Sequence, residues 1–409
     1  MNTLPNAQAR QHYLDCARVF ALLLGVVFHA SLSFMPVFIG WAVMDISTSD
    51  LVLWFVMVAH SFRMELFYLI AGYFSYQAFG SKGAANFLKS RLFRLGLPFT
   101  FGWLLLKPLV NSGWIMGAES MAGDVDVAGG LVKGFTTMLV SPGGVFVGTH
   151  LWFLYYLLMF TGLLVVSSHL IQRHFSKKPL VFRRVDSMVN GLCASRFGMV
   201  ILSFPVAVCL WFMPNWAVDT PDKSLVPNLP VFILYLVFFV FGWLLKRNQH
   251  SLDWFAEIDA WRLVLCVLSI VACIELAAYE SSKAHDYYTF LKAGFLLSYG
   301  IMMWSLVGLT LGVCKRWFNR SNSVICYLSK ASYWIYLIHL PLVLWLQVAF
   351  VELSMHWLLK LICIVCLTLL SSIVLYEAFV RRTLIGRILS GNGGPSEVSK
   401  SAMNKASAI

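Results

Sequence analysis

Two ionisable side chains share one face of the first apolar segment of the chain. Arg18 and His29 are eleven residues apart in LDCARVFALLLGVVFHASLSF. Eleven residues at about 100° each make three turns plus roughly 20°, so the two side chains point the same way, about 16 Å apart along the helix axis. Ionisable groups are costly inside a membrane and therefore mark functional sites. Because an imidazole titrates near neutral pH, His29 is a candidate general base at the end of a polar track.

Later apolar segments contribute two more histidines and an arginine. His60 and Arg63 are three residues apart and share a helix face, and His339 lies in the ninth segment. With about 30 Å for each crossing, His29, His60 and His339 have similar depths, and we interpret them as the lining of one cavity. A polar side chain in a span can also serve only as a hydrogen-bonding group between helices. Both interpretations are open for His60, Arg63 and His339.

A second basic feature lies where the third segment begins. The sequence KSRLFRLGLPF contains Arg91 and Arg94, which project together because they are three residues apart. Two guanidinium groups on one face suit a phosphate ester or a diphosphate. The alternative interpretation is ordinary anchoring of a span by basic residues at the cytoplasmic surface.

The elements that must position these residues are transmembrane helices. Hydrophobic residues make up 59% of the 409 and charged residues only 12%, with a mean hydropathy of +0.75, which excludes an ordinary soluble domain. We predict an all-α polytopic membrane protein with about ten transmembrane helices. Residues 1–390 form a single membrane domain, and 391–409 are predicted to be a disordered cytoplasmic tail. The ten apolar runs are 16–38, 51–78, 94–116, 150–171, 197–214, 229–246, 261–279, 289–313, 332–350 and 358–379.

Basic residues predict the orientation of these helices. Of the 31 lysines and arginines, 24 lie in the N-terminus, the tail and every second connection, or at the adjoining span ends. Basic residues favour the cytoplasmic side, so both termini are predicted to be cytoplasmic. The net charge of +12 then reflects this bias and an anionic lipid surface, and predicts no nucleic-acid partner. We find no metal-ligand spacing and predict no metal site.

Five segments, taken in order, resemble the integral-membrane acyltransferase 3 family. They are the spacing of Arg18 and His29, HSFRMELFYLIAGYFSY, the pair Arg91 and Arg94, HLWFLYYLL and SYWIYLIHLP. The resemblance covers about residues 8–390 and is weak from about 172 to 290. HSFRM, GYFSY, HLWFL and a late LYE resemble the branch that succinylates osmoregulated periplasmic glucans, rather than the branches that O-acetylate lipopolysaccharide or exopolysaccharide.

This resemblance implies an activity and roles for four residues. Members of the family take an acyl group from a cytoplasmic acyl-CoA and place it on a carbohydrate hydroxyl at the outer face of the bacterial inner membrane. His29 matches the histidine regarded as essential, Arg18 its partner, and Arg91 and Arg94 the motif associated with the acyl donor. The expected donor is succinyl-CoA, as a substrate and not a bound cofactor. The expected acceptor is a periplasmic β-glucan, and other glucan-biosynthesis proteins are candidate partners.

Five further residues complete the predicted site. His339 and Glu377 match the late histidine and late acidic position of the family. We expect Arg63 to bind the distal carboxylate of a succinyl donor, because an arginine fork fits a carboxylate. His150 and Trp152 lie at the outer end of the fourth segment, where the aromatic ring could stack on a sugar, although tryptophans also belt membrane interfaces.

Several alternatives stay open at this point. His29 is predicted to deprotonate a glucose hydroxyl, most simply the primary 6-hydroxyl, in direct transfer or by way of an acyl-His29 intermediate. Within the enzyme class, the alternative is an O-acetyltransferase of another envelope polysaccharide. In another class, a proton-coupled transporter also has buried ionisable groups, but we find no pair of repeated halves.

Overall fold

The described part of the chain is mostly helical. The computed structural model describes residues 11–140, 149–175, 179–222 and 224–390, and none of these residues forms a strand. The predicted all-α class is confirmed. The predicted tail, 391–409, lies outside the described residues.

Fourteen α-helices, numbered in chain order, make up this part of the molecule. Two π-helical segments, Leu92–Gly96 and Tyr376–Val380, precede α3 and follow α13. Short 3-10 turns cover Leu32–Phe34 and Thr149–Leu151. The α-helices are α1 His12–Ser31, α2 Asp50–Arg91, α3 Leu97–Met121, α4 Val127–Val140, α5 Trp152–Phe175, α6 Pro179–Ala194, α7 Gly198–Trp211, α8 Leu229–Arg247, α9 Gln249–Phe255, α10 Ala260–Ala277, α11 Tyr288–Trp317, α12 Ser323–Phe350, α13 Trp357–Leu375 and α14 Leu384–Ser390.

The number of membrane crossings depends on one long helical stretch. Within the described ranges, eight stretches are long and apolar enough to cross a membrane, or nine if the bent pair α6–α7 is one span. One of the eight, Asp50–Met121, has 72 residues. At a rise of 1.5 Å per residue it would be about 108 Å long, more than three times the ~30 Å hydrocarbon core. It cannot be a single straight span.

The chain reverses within this stretch at Gly83. That residue has φ 73° and ψ 166°, a conformation that glycine adopts without a steric penalty. Beyond the reversal, the Arg91 guanidinium donates to the Ser75 hydroxyl at 2.9 Å, and the rings of Phe79 and Phe87 lie 5.6 Å apart. The stretch is therefore a helical hairpin. Counting it as two crossings and α6–α7 as one gives the ten spans that the sequence predicts.

Two helices of 14 and 16 residues, in addition to the seven-residue helices α9 and α14, occur where the sequence predicts no helix. α4 packs along α3 within the predicted loop 117–149, and α6 occupies the predicted loop 172–196. The predicted fifth span, 197–214, is shorter than expected, because α7 has 14 residues and meets α6 at 111°. At about 21 Å, α7 alone is too short for the hydrocarbon core. A search for long apolar runs misses α6 because charged residues interrupt it.

The central helix is α1, which carries the first two candidate residues. It packs against α2, α11, α12 and α13, so that most of its faces contact protein. The connection from α1 to α2, called the 35–49 loop, folds onto the bundle. Its Asp45 forms a buried ion pair with Lys360 of α13 at 2.8 Å, and the two side chains are 2% and 0% exposed. Breaking such a pair leaves an uncompensated charge, so the loop is held firmly.

Candidate active site

One cavity connects the candidate residues of both ends of the bundle. Its volume is about 990 Å³. One end, called the basic vestibule, is lined by Asp15, Arg18, Lys82, Arg91, Arg94 and Lys246. The middle is lined by His29, Arg63, His150 and His339, and the opposite end by Trp41, Asn111, Trp114, Thr149, Thr220 and Asp222. The cavity therefore joins a cationic end to an aromatic end through a group of imidazoles.

The hairpin and the first π-helical segment position the arginines of the vestibule. Arg91 donates to Ser75 across the hairpin, and its guanidinium lies 5.2 Å from the centre of the Phe87 ring. The Tyr333 hydroxyl of α12 donates to the backbone carbonyl of Arg94 at 2.8 Å, which ties the π-helical turn to α12. Five cations and one carboxylate among the described lining residues make this end suitable for an anionic ligand.

The imidazole cluster consists of His29, His60, His150 and His339, which come from four parts of the chain. The ring centres of His29 and His339 lie 5.4 Å apart, and those of His150 and His339 lie 5.6 Å apart. His60 does not line the cavity. Its ring stacks on Phe28 at 5.4 Å, one layer behind the wall.

Hydrogen bonds to carbonyl groups assign three of the four tautomers. His60 Nε2 lies 3.0 Å from the carbonyl of Val218, His150 Nε2 lies 2.8 Å from that of Leu337, and His339 Nδ1 lies 2.7 Å from that of Tyr336. A carbonyl oxygen only accepts, so each of these nitrogens carries the proton. The lone pair of His339 is therefore on Nε2.

His29 differs from the other three imidazoles. Neither of its ring nitrogens forms a hydrogen bond with a described residue, and Nδ1 is buried. Its ring is held by aromatic contacts instead, with Trp41 at 5.8 Å and an interplanar angle of 20°, and with Phe28 at 5.2 Å edge-on. Because Nδ1 is enclosed by protein, Nε2 is the nitrogen that is available for proton transfer or for bond formation with a ligand in the cavity.

Arg63 is a buried cation that forms no ion pair with a described residue, although the Glu65 carboxylate interacts with it electrostatically. Its side chain passes beside Gly25 of α1, one turn before His29, and its guanidinium lies 4.1 Å from the centre of the Phe28 ring. The residue is 6% exposed, and Nη1 has no hydrogen-bond partner. Glu65 lines no part of the cavity and interacts electrostatically with buried tyrosines as well as with Arg63. A buried guanidinium that lines a cavity and forms no ion pair favours binding of a ligand carboxylate.

Sequence reasoning missed two residues that contact His29. The Trp41 ring stacks on it, and the Trp41 Nε1 donates to Gln347 Oε1 at 2.9 Å. Gln347 in turn donates to the backbone carbonyl of His29 at 3.0 Å. An isolated amide in the apolar ninth segment is a signal that could have identified Gln347. No signal in the sequence identifies Trp41, since it lies in a loop.

Two predicted residues have other surroundings than we expected. Trp152 lines the cavity but is 5% exposed, and its ring stacks on Tyr235 at 5.5 Å, so one face is covered by protein. Glu377 lies outside the cavity at the same end of the bundle as the basic vestibule. Its carboxylate accepts from Tyr327 at 2.6 Å and pairs with Arg381 at 2.8 Å. The described residues hold no group of three or more histidine, cysteine or acidic side chains arranged as metal ligands.

Comparisons with known proteins show a family and similar proteins. Residues 11–377 match the family described as "Acyltransferase domain". The chain is 28% identical over 401 residues to "Glucans biosynthesis protein C" of Escherichia coli O157:H7 (strain EC4115 / EHEC), covering 96% of both chains. It has the same identity and coverage with the protein of that name from Escherichia coli strain K12. No solved structure matches the chain.

Proposed function

Because this chain belongs to the acyltransferase 3 family, we propose that it transfers a succinyl group from cytoplasmic succinyl-CoA to glucose hydroxyls of osmoregulated periplasmic glucans. The observation that carries this proposal is the single cavity that joins the basic vestibule, the imidazole cluster and the aromatic end. A donor and an acceptor that never share a compartment need such a path between them. The printed name of the two relatives supports a role in glucan biosynthesis.

The basic vestibule is the proposed donor site. The positive-inside rule assigns the vestibule to the cytoplasm of the bacterial inner membrane, with both chain termini on the same side. Arg91, Arg94 and Arg18 there would bind the phosphates of the acyl-CoA, for which guanidinium forks are well shaped. Arg18 and His29 are about 16 Å apart along α1, so one thioester carbonyl cannot contact both. We therefore assign Arg18 to donor binding and His29 to the chemical step.

The transfer exchanges one acyl bond for another. In direct transfer the C–S bond of the thioester breaks, a C–O ester bond forms to the sugar, and the hydroxyl proton passes through His29 to the departing CoA thiolate. In the two-step route the C–S bond breaks as a C–N bond forms to His29, and the sugar hydroxyl then forms the C–O bond as the C–N bond breaks, with its proton returning to the imidazole. His29 acts as general base in direct transfer, or as nucleophile if an acyl-His29 intermediate forms. His339, with its lone pair on Nε2 and its ring 5.4 Å from that of His29, is a second group able to accept the proton in either route.

Arg63 is the residue that we propose to bind the distal carboxylate of the succinyl donor. It is buried, lies beside the His29 turn of α1, and forms no ion pair with a described residue. A succinyl carboxylate in this position would neutralise the guanidinium, whereas an acetyl group would leave it unpaired. This supports a dicarboxylate half-thioester over the acetyl donor of an O-acetyltransferase.

Two measurements test the proposed function. Mass spectra of periplasmic glucans from cells with and without the protein should differ by succinyl substituents. The purified protein in lipid nanodiscs should release CoA thiol from succinyl-CoA over many turnovers only when a glucan is added. Acetyl substituents in their place would favour the O-acetyltransferase, and movement of solute without thioester consumption would favour a transporter.

A further inference from the structure

Two indole rings form the wall of the cavity end that is opposite the basic vestibule. The ring centres of Trp41 and Trp114 lie 5.5 Å apart at an angle of 66°, and Trp114 is 37% exposed. Asn111, Thr220 and Asp222 line the same end. We call these five residues the indole mouth.

Trp41 is fixed in place although it lies in the 35–49 loop. Its Nε1 donates to Gln347 of α12. The next residue, Ala42, packs its carbonyl against Gly117 of α3 so closely that a Cβ on Gly117 would lie 2.3 Å from the carbonyl oxygen. Glycine permits this approach because it has no side chain. Contacts with α3 and α12 therefore hold the Trp41 ring in place. Because this ring stacks on His29, the indole mouth leads directly to His29.

The chemistry of the indole mouth differs from that of the vestibule. Its described lining includes no lysine or arginine and a single carboxylate, Asp222. This does not suit the phosphates of an acyl-CoA. An aromatic platform with a few amide, hydroxyl and carboxylate groups suits a neutral ring that has one C–H face and several hydroxyl groups, which describes a pyranose. A tryptophan that only belts a membrane interface has no reason to line a cavity.

We infer that the indole mouth is the acceptor subsite, where Trp114 stacks on a neutral pyranose ring and Trp41 guides its hydroxyl towards His29. The inference rests on the proposed function, since it names where the acceptor of that reaction binds. Trp114 therefore takes the place of Trp152 as the proposed aromatic contact for the sugar, because the Trp152 ring is buried against Tyr235. Stacking on Trp114 selects a ring shape. The described residues of the mouth include a carboxylate and no lysine or arginine, which favours an uncharged acceptor over an anionic one.

Direct binding tests the inference without any acyl donor. A neutral linear gluco-oligosaccharide is titrated calorimetrically into the protein in nanodiscs. We expect the Kd to rise about tenfold for Trp114→Ala, and less for Trp114→Tyr, which keeps an aromatic face. Trp211→Ala is the matched control, because Trp211 is 41% exposed, ends α7 and does not line the cavity. Its Kd should equal that of the wild type.

A transfer assay with succinyl-CoA then separates the two proposals. In Trp114→Ala the KM for the oligosaccharide should rise about tenfold, while the KM for succinyl-CoA stays unchanged. Equal Kd values in wild type and Trp114→Ala, or no binding by the wild type, would overturn the acceptor subsite. Trp114-dependent binding without consumption of succinyl-CoA would overturn the proposed donor and keep the subsite. If Trp114→Ala is absent from membranes, Asn111→Ala provides the same comparison, with a smaller expected rise.

Discussion

The two ends of the cavity are built differently. The basic vestibule is lined mainly by residues of helices, and its cations line a continuous wall from α1 to the hairpin and α8. The indole mouth depends on a loop, whose Trp41 is held by contacts from α3 and α12. The first end is cationic, and the second is aromatic with one carboxylate and no lysine or arginine among its described residues. This difference is the basis of our proposal that two ligands of different charge meet at the imidazole cluster.

The largest loss of transfer activity should follow a substitution in the imidazole cluster, where the two ends of the cavity meet. His29→Ala removes an imidazole whose two nitrogens form no hydrogen bond with a described residue. General base catalysis contributes 10²–10⁴-fold, so we expect the rate of succinyl transfer to fall by about a thousandfold or more. Thiol release from succinyl-CoA measures the rate, and immunoblots of membranes measure protein abundance. His285→Ala, an exposed histidine, is the control; a His29→Ala protein that is abundant and still active would refute the assignment.

Substitution of Arg63 should reduce the use of a charged acyl donor more than the use of an uncharged one. With Arg63→Ala, a succinyl carboxylate would be buried without a partner, so we expect about a hundredfold loss of kcat/KM with succinyl-CoA. Acetyl-CoA brings no carboxylate, and its use should fall much less. Arg63→Lys keeps the charge but loses the fork and should be intermediate. Rates with both donors decide the matter: equal losses would mean that Arg63 only supports the packing around Phe28.

The vestibule arginines should affect binding of the donor and not binding of the acceptor. Arg91→Ala with Arg94→Ala removes two cations from the cavity wall, and we expect the KM for succinyl-CoA to rise about tenfold. Binding of the oligosaccharide at the indole mouth should not change. The control is Arg381→Ala with Arg382→Ala, two exposed basic residues at the same end that do not line the cavity. A similar KM in both double variants would show that charge near the membrane, and not the vestibule, attracts the donor.

The smallest effect is expected at Glu377. Its carboxylate pairs with Arg381 on the surface and lies outside the cavity. Exposed ion pairs of this kind contribute little, so Glu377→Gln should keep the transfer rate within about twofold of wild type. Initial rates with saturating succinyl-CoA measure it. A large loss would mean that the late acidic position acts on the donor from outside the described cavity wall.

The sequence by itself determined the architecture of this protein. In lipid every backbone polar group must be satisfied within its own helix, so a long apolar run is sufficient to predict a span. Helix geometry is equally local, which is why the shared face of Arg18 and His29 could be derived from their spacing alone. The family resemblance, drawn from five segments, was confirmed by the match over residues 11–377.

Local reasoning was weaker where a helix is neither long nor uniformly apolar. α4 and α6 lie in predicted loops because neither contains a run of about twenty apolar residues. The predicted loop 79–93 is a hairpin of two helices around Gly83. A glycine inside a helical pattern is not sufficient to predict a chain reversal. The reversal is stabilised by tertiary contacts such as that of Arg91 with Ser75.

Only the tertiary structure decided which polar groups meet. Trp41 and Gln347 are 306 residues apart in sequence and hold each other beside His29. The carbonyl partners that fix the tautomers of His60 and His150 come from distant helices and loops, and the partners of Glu377 keep it on the surface. Side-chain depth in a span follows from helix geometry, but rotation towards a neighbour follows from packing between helices. That packing cannot be derived from any one segment, and it brings side chains of separate spans together around one cavity.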